Sequence, residues 1–287
     1  MEGPMVVDSH VHFWDPAVLH YPWLGALPEL TRAFLPSDFA SLTLGMVDAV
    51  VFVEANCDAA ERADEVAFAE RLASAEPRLA GTVACIDLLD ERGRSAALAG
   101  LPAMGHVVGV RHNIQGHAGG FALNATFVRG VQELGRLGLP FDLCVTAGQL
   151  PEVSALVRRC PGTTFVLDHC GKPAIRDDAF GPWASDLSEL AARDNVSCKL
   201  SGLLTEARAD QCRYETLMPY AEHALACFGT DRLMFGSDWP VVTLAGGDMA
   251  WRAFTDRFTA TWSLDEQQHF YADNAIRLYR LNLHGHA

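Results

Sequence analysis

The sequence predicts a (β/α)8 barrel, the closed parallel form of an α/β protein. Two observations support this fold: short apolar runs alternate with helix-like stretches, and eight such units fit within the 287 residues of the chain. Strand–helix alternation at this spacing is typical of right-handed parallel units, and barrels of about 250 residues commonly form one domain. The sequence contains no linker and no low-complexity segment, so we expect residues 1–287 to fold as a single domain.

The predicted strands are short runs rich in Val, Ile, Leu and Phe. Most of these runs are nearly unbroken, which is typical of strands that are buried on both faces. The eight strands are predicted at residues 5–11, 49–54, 81–86, 107–111, 140–145, 164–169, 196–201 and 233–238.

Helices are predicted between these strands. The third crossover, around residues 91–99, has a weak pattern that is compatible with a single turn. Near the end of the chain, Ser263 and Glu266 form the pattern of a capping box, which predicts a helix that runs through Leu281. The other predicted helices cover residues 59–74, 123–137, 150–159, 183–193 and 213–227.

A long loop is predicted after the first strand, at residues 16–36. It is rich in Pro, Tyr, Trp and Leu. Such a segment could cover the barrel mouth as a lid, or it could pack as an ordinary surface loop. The sequence leaves both alternatives open.

Composition and charge exclude several classes of partner. The chain has 22 Lys and Arg residues against 36 Asp and Glu residues, a formal net charge of −14. Such a surface repels a phosphate backbone and an anionic membrane, so we expect neither nucleic acid nor a membrane as a partner. No apolar run approaches the roughly 18 residues of a spanning helix, and the first residues lack a secretory signal. The eight cysteines form no C-x-x-C pair, which favours a reducing, cytoplasmic location.

Polar residues stand at or beside the predicted C-terminal end of nearly every strand. In a parallel barrel the reacting groups occupy these ends. Burying ionisable groups costs several kcal/mol unless they are paired or face a wet cavity, so this convergence predicts a functional site. His10 and His12 are the sharpest local signal, because alternation along a strand places both imidazoles on one face. Together they could bind a metal ion or donate hydrogen bonds to a carbonyl oxygen.

Three motifs carry a family resemblance: V-D-S-H-V-H at the start, F-V-L-D-H-C-G-K-P at 165–173 and M-F-G-S-D-W-P at 234–240. With V-G-V-R-H at 108–112 and C-K-L-S-G at 198–202, the sequence resembles the amidohydrolase superfamily, and within it the amidohydrolase 2 branch and its sugar-lactone hydrolases. This resemblance extends over nearly the whole chain. It implies a distorted (β/α)8 barrel and hydrolysis at a carbonyl centre, with aldonolactones of the L-fucono type as substrates.

The resemblance also bears on the metal requirement. Binuclear members use a Lys or Glu from strand four, and many mononuclear members add a His from strand five; this sequence offers neither at the matching positions. His10, His12, His169 and Asp238 remain, and they could hold one zinc ion. Members of this branch also work without a divalent ion, and a lactone is an activated ester. We therefore expect that no cofactor is required, with a single zinc ion as the alternative.

A mechanism follows as a hypothesis. Asp238 is predicted to be the general base that activates water, with a pKa raised by partial burial. The developing oxyanion is expected to be stabilised by Arg111 and by the three imidazoles of His10, His12 and His169. Protonated Asp238 then returns its proton to the ring oxygen, and the lactone opens to the aldonic acid.

Several polar residues are candidates for reading the substrate hydroxyl groups. Only Arg111 clearly offers a guanidinium at a strand end, which favours a neutral sugar lactone over a dicarboxylate lactone. The candidates are Glu54, His112, Asn113, Asp142, Lys172, Lys199 and Trp239.

Two rival functions and the oligomeric state stay open. One rival is a zinc-dependent decarboxylase or dicarboxylate-lactone hydrolase of the same branch. The other is a non-catalytic barrel that binds a sugar acid. The sequence does not fix the oligomeric state, and a homo-oligomer is compatible with it.

Overall fold

Eight parallel strands form one sheet in the computed structural model, which describes residues 4–43, 45–101 and 104–283. Each strand pairs with the next one along the chain, and Val11 closes the barrel through a parallel bridge to Trp239. The strands are β1 (Val7–Val11), β2 (Ala49–Val53), β3 (Leu79–Cys85), β4 (Val107–Arg111), β5 (Phe141–Leu143), β6 (Phe165–Leu167), β7 (Val196–Leu200) and β8 (Leu233–Phe235). The predicted (β/α)8 barrel and all eight strands are confirmed.

The barrel is distorted, as the family resemblance implied. The register shifts within three of the strand pairs, β1 with β2, β2 with β3 and β3 with β4. In addition, β5, β6 and β8 are only three residues long. The strands are almost entirely buried because helices cover their outer face and side chains fill the inside.

Helices surround the sheet and also close one end of it. They are α1 (Pro36–Thr43), α2 (Arg62–Ala75), α3 (Glu91–Gly100), α4 (Ala125–Leu137), α5 (Leu150–Arg159), α6 (Phe180–Ala191), α7 (Leu203–Glu206), α8 (Tyr214–Arg232), α9 (Asp248–Thr259), α10 (Leu264–Gln268) and α11 (Asn274–Tyr279). Tyr279 and Ala275 of α11 pack with strand residues such as Val51 and Val83 in one buried cluster. The C-terminal helix therefore closes the floor of the barrel and leaves the C-terminal ends of the strands for a site.

The helices agree with the prediction except at five places. The third crossover is the full ten-residue helix α3, because Asp90 caps it by accepting from the backbone of Arg92. The sequence did not predict α1, α7 and α9. The helix after Ser263 has the predicted capping box, but a π-helical turn at His269–Asp273 separates α10 from α11.

The segment at residues 16–36 contains two short 3-10 turns, Pro22–Ala26 and Pro28–Leu30. The buried ring of Trp14 anchors it by donating from Nε1 to the carbonyl oxygens of Leu30 and Arg32, each at 3.1 Å. The segment is therefore packed against the barrel at these points.

The structure also bears on two features of the chain as a whole, the expected lack of a spanning helix and the state of the cysteines. Within the described ranges, no helix has both the length and the apolar character that a membrane span requires. All eight cysteines are free thiols, and six of them are buried.

We predict that Asn274 is a major contributor to stability. Its side-chain amide donates to the carbonyl oxygens of Thr230 and Leu233, at 2.6 and 2.7 Å. Asn274→Leu leaves both acceptors without these bonds and should lower the free energy of unfolding by about 2–4 kcal/mol, measured by urea denaturation. Ser263→Ala, which removes only a helix cap, should cost about 1 kcal/mol. Equal losses in the two variants would contradict this explanation.

Candidate active site

Three histidines and one aspartate meet at the C-terminal end of the barrel. His10 and His12 lie at the end of β1, and backbone hydrogen bonds tie them to the segment after β8: His12 N donates to the Trp239 oxygen at 2.7 Å, and Asp238 N donates to the His10 oxygen at 2.9 Å. His169 follows β6. Both His169 and Asp238 have a left-handed backbone, with φ of 54° and 62°, a conformation that is uncommon outside glycine and often found at functional sites.

The carboxylate of Asp238 lies at the centre of this group. Its Oδ1 is 3.5 Å from Nε2 of His12, 3.8 Å from Nε2 of His10 and 3.9 Å from Nε2 of His169. The Nε2 atoms of His10 and His12 are 3.1 Å apart. Residues that are far apart in the sequence therefore form one compact centre, as the sequence analysis predicted.

Each imidazole is oriented through its other nitrogen. Nδ1 of His12 lies 2.7 Å from the carbonyl oxygen of Val53, and Nδ1 of His169 lies 2.8 Å from Oγ of Ser201. Next to Ser201, Gly202 has φ of 66°, and a Cβ there would lie 2.7 Å from Nδ1 of His169. Only glycine leaves room for this ring position. Such partners fix the ring orientation and leave Nε2 facing the centre.

A cluster of buried charges lies beneath the histidines. Nζ of Lys199 is 2.6 Å from Oδ2 of Asp142, 3.0 Å from Oδ1 of Asp168 and 3.2 Å from Nδ1 of His10. The hydroxyl of Tyr279 donates to Asp142 at 2.8 Å. The ion pairs of Lys199 with Asp142 and Asp168 offset the cost of burying these charges, because isolated buried ions are strongly destabilising.

Arg111 joins this cluster to the site. Its guanidinium donates to the side chain and the backbone oxygen of Glu54 and, at 3.1 Å, to Oδ2 of Asp168. Burial disfavours the charge, but Glu54 and Asp168 hold the pKa of Arg111 well above its usual value. Three of its five N–H groups are used in these bonds, which leaves two for a ligand.

Protonation states at the centre follow from burial and neighbouring charges. Burial lowers the pKa of His10 well below its usual value and lowers the pKa of His169 to about 4. For Asp238, burial favours the neutral acid, but the surrounding His169, His12 and His10 rings lower its pKa below the usual range. The prediction of a raised pKa for Asp238 is therefore wrong, because three polar rings outweigh the effect of burial.

A cavity of about 300 Å³ opens onto this centre. One part of its wall is polar and includes the reactive groups. The other part is apolar and comes from Trp23 and Leu27 of the 16–36 segment together with Val241, which follows β8. The complete lining is His12, Trp23, Leu27, Ala55, Asn56, Arg111, Asn113, Gln115, Cys144, His169, Lys172, Asp238 and Val241.

Of the predicted catalytic residues, His12, His169, Arg111 and Asp238 line the cavity. His10 is fully buried behind His12. Of the predicted substrate-contacting residues, Asn113 and the half-buried Lys172 line it. Neighbouring Cys144, Asp238 and Glu206 raise the pKa of Lys172 against the opposing effect of burial. Lys172 is therefore a cation at neutral pH.

Five predicted substrate-contacting residues lie outside the cavity wall. Glu54 is behind Arg111, and Asp142 and Lys199 are in the buried charge cluster. His112 turns outward, where its Nδ1 accepts from the backbone of Leu88 at 3.0 Å. Trp239 packs in an aromatic cluster with Phe13, Phe34 and Phe39. Strand-end position identified these residues, but it does not distinguish inward from outward side chains once strands end in irregular loops.

Sequence reasoning missed the cavity residues that lie on loops. Trp23, Leu27, Asn56 and Gln115 carry no spacing signal, although a lid is one of the two alternatives that the sequence leaves open for residues 16–36. The roles of Asp168, Ser201 and Tyr279 were also missed; the available signal was that Asp168 and Ser201 lie inside the motifs at 165–173 and 198–202.

The donor set fits a single zinc ion. His10, His12 and Asp238 offer two nitrogens and one carboxylate oxygen within 4.8 Å of one another, and His10, Asp168 and His169 form a second such set. Imidazole nitrogen and carboxylate oxygen are the ligand types that zinc prefers outside thiolate sites. The residues are therefore capable of holding a metal ion.

The fold and this centre together define a barrel enzyme with a histidine–aspartate site. The amidohydrolase family model matches residues 7–281. The chain belongs to the amidohydrolase family, which confirms the resemblance seen in the sequence.

The chain is similar to several known proteins over nearly their full length. The chain is 37% identical to an L-fucono-1,5-lactonase of Burkholderia multivorans, over 97% of both chains, and 33% identical to an L-fucono-1,5-lactonase of Burkholderia ambifaria, over 96% of both. It is also similar to the crystal structure of an amidohydrolase from Burkholderia multivorans with bound zinc, with a TM-score of 0.86 and 36% identity over 97% of this chain and 100% of that one.

We predict that His169 stays neutral to unusually low pH. Its ring signals in NMR spectra of chelator-treated protein, assigned with His169→Asn, should titrate with a midpoint of about 4. Because its pKa is lower in the folded chain than in the unfolded chain, the unfolded chain binds the proton first. This group should therefore reduce the free energy of unfolding as the pH falls from about 6.5 towards 4. A midpoint above pH 6 would contradict the cause assigned here.

Proposed function

We propose that this enzyme hydrolyses a sugar lactone of the L-fucono-1,5-lactone type to the aldonic acid. The observation that carries the proposal is a carboxylate, Asp238, that faces a polar cavity with cationic and imidazole groups around it. The similarity to two L-fucono-1,5-lactonases over nearly their full length supports the same reaction.

Asp238 is the general base in this mechanism. Its low pKa keeps it ionised at neutral pH, in the form that accepts a proton. Water held by this carboxylate attacks the lactone carbonyl carbon, and its proton becomes acidic as the new C–O bond forms. Protonated Asp238 then gives the proton to the ring oxygen as the ring C–O bond breaks. The products are the carboxylic acid and the free hydroxyl group.

The oxyanion is stabilised by groups that line the cavity. Lys172 supplies an ammonium, Arg111 has unused N–H groups, and His169 can donate from Nε2 when Ser201 donates to its Nδ1. His10 is excluded from this role by its burial behind His12. We assign His10 and His12 to positioning the centre around Asp238, which revises the expectation that all three rings contact the carbonyl oxygen.

A zinc ion is compatible with this reaction but not required in our proposal. His10, His12 and Asp238 would hold the ion, which as a Lewis acid would polarise the carbonyl group. Without it, Lys172 and Arg111 already provide fixed positive charge for an activated ester. The residues of the chain are therefore sufficient for the steps described above.

The apolar part of the wall suits the methyl group of a 6-deoxy sugar. Trp23, Leu27 and Val241 form it, and Trp23 is fixed by a 2.8 Å hydrogen bond from Nε1 to the Ala55 oxygen. In the same lining, Asn56, Asn113 and Gln115 provide partners for ring hydroxyl groups. A dicarboxylate would require additional free cations, because Arg111 is largely engaged by Glu54 and Asp168.

The central prediction concerns Asp238. A panel of aldonolactones, followed by acid release with a pH indicator, should show enzymatic opening of L-fucono-1,5-lactone. Asp238→Asn should reduce kcat by at least about a hundredfold because the general base is lost. Asp48 directly precedes β2, at the end of the barrel away from the cavity, and its carboxylate accepts from Val6 N at 2.7 Å. Asp48→Asn is therefore the control and should retain activity. Near-normal turnover in Asp238→Asn would remove Asp238 from this role.

A second prediction concerns the apolar wall. Trp23→Ala should raise KM for L-fucono-1,5-lactone by about threefold to tenfold, the value of one buried methyl contact. The analogue that lacks the methyl group is the matched control, and its KM should change little. An equal change for both lactones would show that Trp23 acts on the site as a whole.

A third prediction concerns the metal. Treatment with a strong chelator, with zinc content checked by elemental analysis, should leave kcat within about twofold, because fixed cations polarise the carbonyl group. A large loss that zinc restores would instead establish a metal-dependent hydrolase.

A further inference from the structure

The ammonium group of Lys199 contacts Nδ1 of His10, the ring nitrogen that faces away from Asp238. Its Nζ lies 3.2 Å from Nδ1 of His10 and 2.6 Å from Oδ2 of Asp142, and all three side chains are inaccessible to solvent. An ammonium has protons and no lone pair. Nδ1 of His10 can therefore only accept this hydrogen bond, and the proton of the neutral ring must be on Nε2.

Asp168 competes for the same nitrogen but has the poorer geometry. Its Oδ1 is also 3.2 Å from Nδ1 of His10. Within the described residues, however, this buried oxygen forms no hydrogen bond, whereas the contact with Lys199 meets hydrogen-bond geometry. Lys199 is therefore the hydrogen-bond partner of Nδ1 in this structure, and Asp168 Oδ1, which forms an ion pair with Lys199 at 3.0 Å, is the reserve acceptor for Nδ1.

The neighbouring ring independently requires the same proton position. Nδ1 of His12 faces the Val53 carbonyl oxygen at 2.7 Å, and a carbonyl oxygen can only accept, so Nδ1 carries a proton. Nε2 of His12 then presents its lone pair to Nε2 of His10, 3.1 Å away. A hydrogen bond at this distance needs one proton, and His10 supplies it. The bonds run in one direction, from Lys199 through His10 and His12 to Val53.

We propose that Lys199 is a positioning residue that holds His10 as the Nε2–H tautomer and thereby opposes divalent-metal binding at His10, His12 and Asp238. A metal ligand must present a lone pair, and in this tautomer Nε2 of His10 presents a proton. Metal binding requires that Nε2 of His10 lose its proton and that Nδ1 of His10 gain one. The new Nδ1–H group then donates a hydrogen bond to Oδ1 of Asp168. The chain thus has two arrangements of the same residues, and Lys199 favours the metal-free one.

The first test reads the tautomer directly. Long-range ¹H–¹⁵N NMR spectra of the metal-free, ¹⁵N-labelled chain distinguish the two tautomers, with His10 assigned by the signals lost in His10→Asn. We expect the Nε2–H pattern for His10 and the Nδ1–H pattern for His12. On saturation with zinc, His10 should change to the Nδ1–H form. An Nδ1–H pattern for His10 in the metal-free chain would overturn the proposal.

The second test measures zinc affinity by competition with a chromophoric chelator. The double variant Lys199→Met/Asp142→Asn removes the ammonium together with its closest partner, so the net charge of the cluster is unchanged. It should bind zinc about tenfold more tightly, and His10 should adopt the Nδ1–H tautomer. Asp168→Asn, which removes the reserve acceptor, should bind zinc about tenfold more weakly.

These outcomes separate the proposal from structural damage and from the proposed reaction. A disturbed cluster would weaken zinc binding in both variants, whereas the proposal requires opposite directions. Asp142→Asn alone keeps the ammonium and is the control that should retain the Nε2–H tautomer. If a variant does not fold, the NMR spectra of the unaltered chain still show which tautomer His10 adopts and therefore test the proposal. Neither measurement involves a lactone, so a failure of the proposed activity would leave both readouts intact.

Discussion

Two backbone hydrogen bonds between the ends of the barrel hold the candidate site together. They join His12 to Trp239 and Asp238 to His10, residues more than two hundred positions apart in the chain. Because a closed barrel makes its first and last strands neighbours, the imidazoles of β1 and the aspartate after β8 share one centre. A sheet that stayed open would leave His10 and Asp238 on opposite edges. The chemistry therefore depends on closure.

The second constraint is the charge cluster beneath that centre. Lys199, Asp142 and Asp168 are fully buried, and ions in such a place are destabilising unless each has a partner. Tyr279, from the helix on the barrel floor, satisfies Asp142 from below, whereas His10 contacts Lys199 from above. The cluster thus links the C-terminal helix to the active centre, and it fixes the orientation of a histidine that never reaches the cavity.

Much of the fold was predictable because its signals are local. Apolar runs identified all eight strands, and the capping box at Ser263 identified the start of α10. The length of α3 was underestimated because its apolar face is weak and the capping residue Asp90 was not considered. At the site, His12 and Asp238 lie in quoted motifs at strand ends, and the structure brings them together. His112 and Trp239 also lie in quoted motifs at strand ends, but their side chains face other parts of the structure.

The sequence by itself determined the barrel fold, the polar residues at the ends of its strands, and the family to which the chain belongs. These features depend on residue type and on periodicity, which are properties of short segments. Only the tertiary structure decided which polar groups face the cavity, that Trp23 and Leu27 complete its wall, and that three rings lower the pKa of Asp238. It also decided the direction of the hydrogen bonds through His10. The physical reason is that burial, orientation and proton position depend on contacts between segments that are distant in the chain.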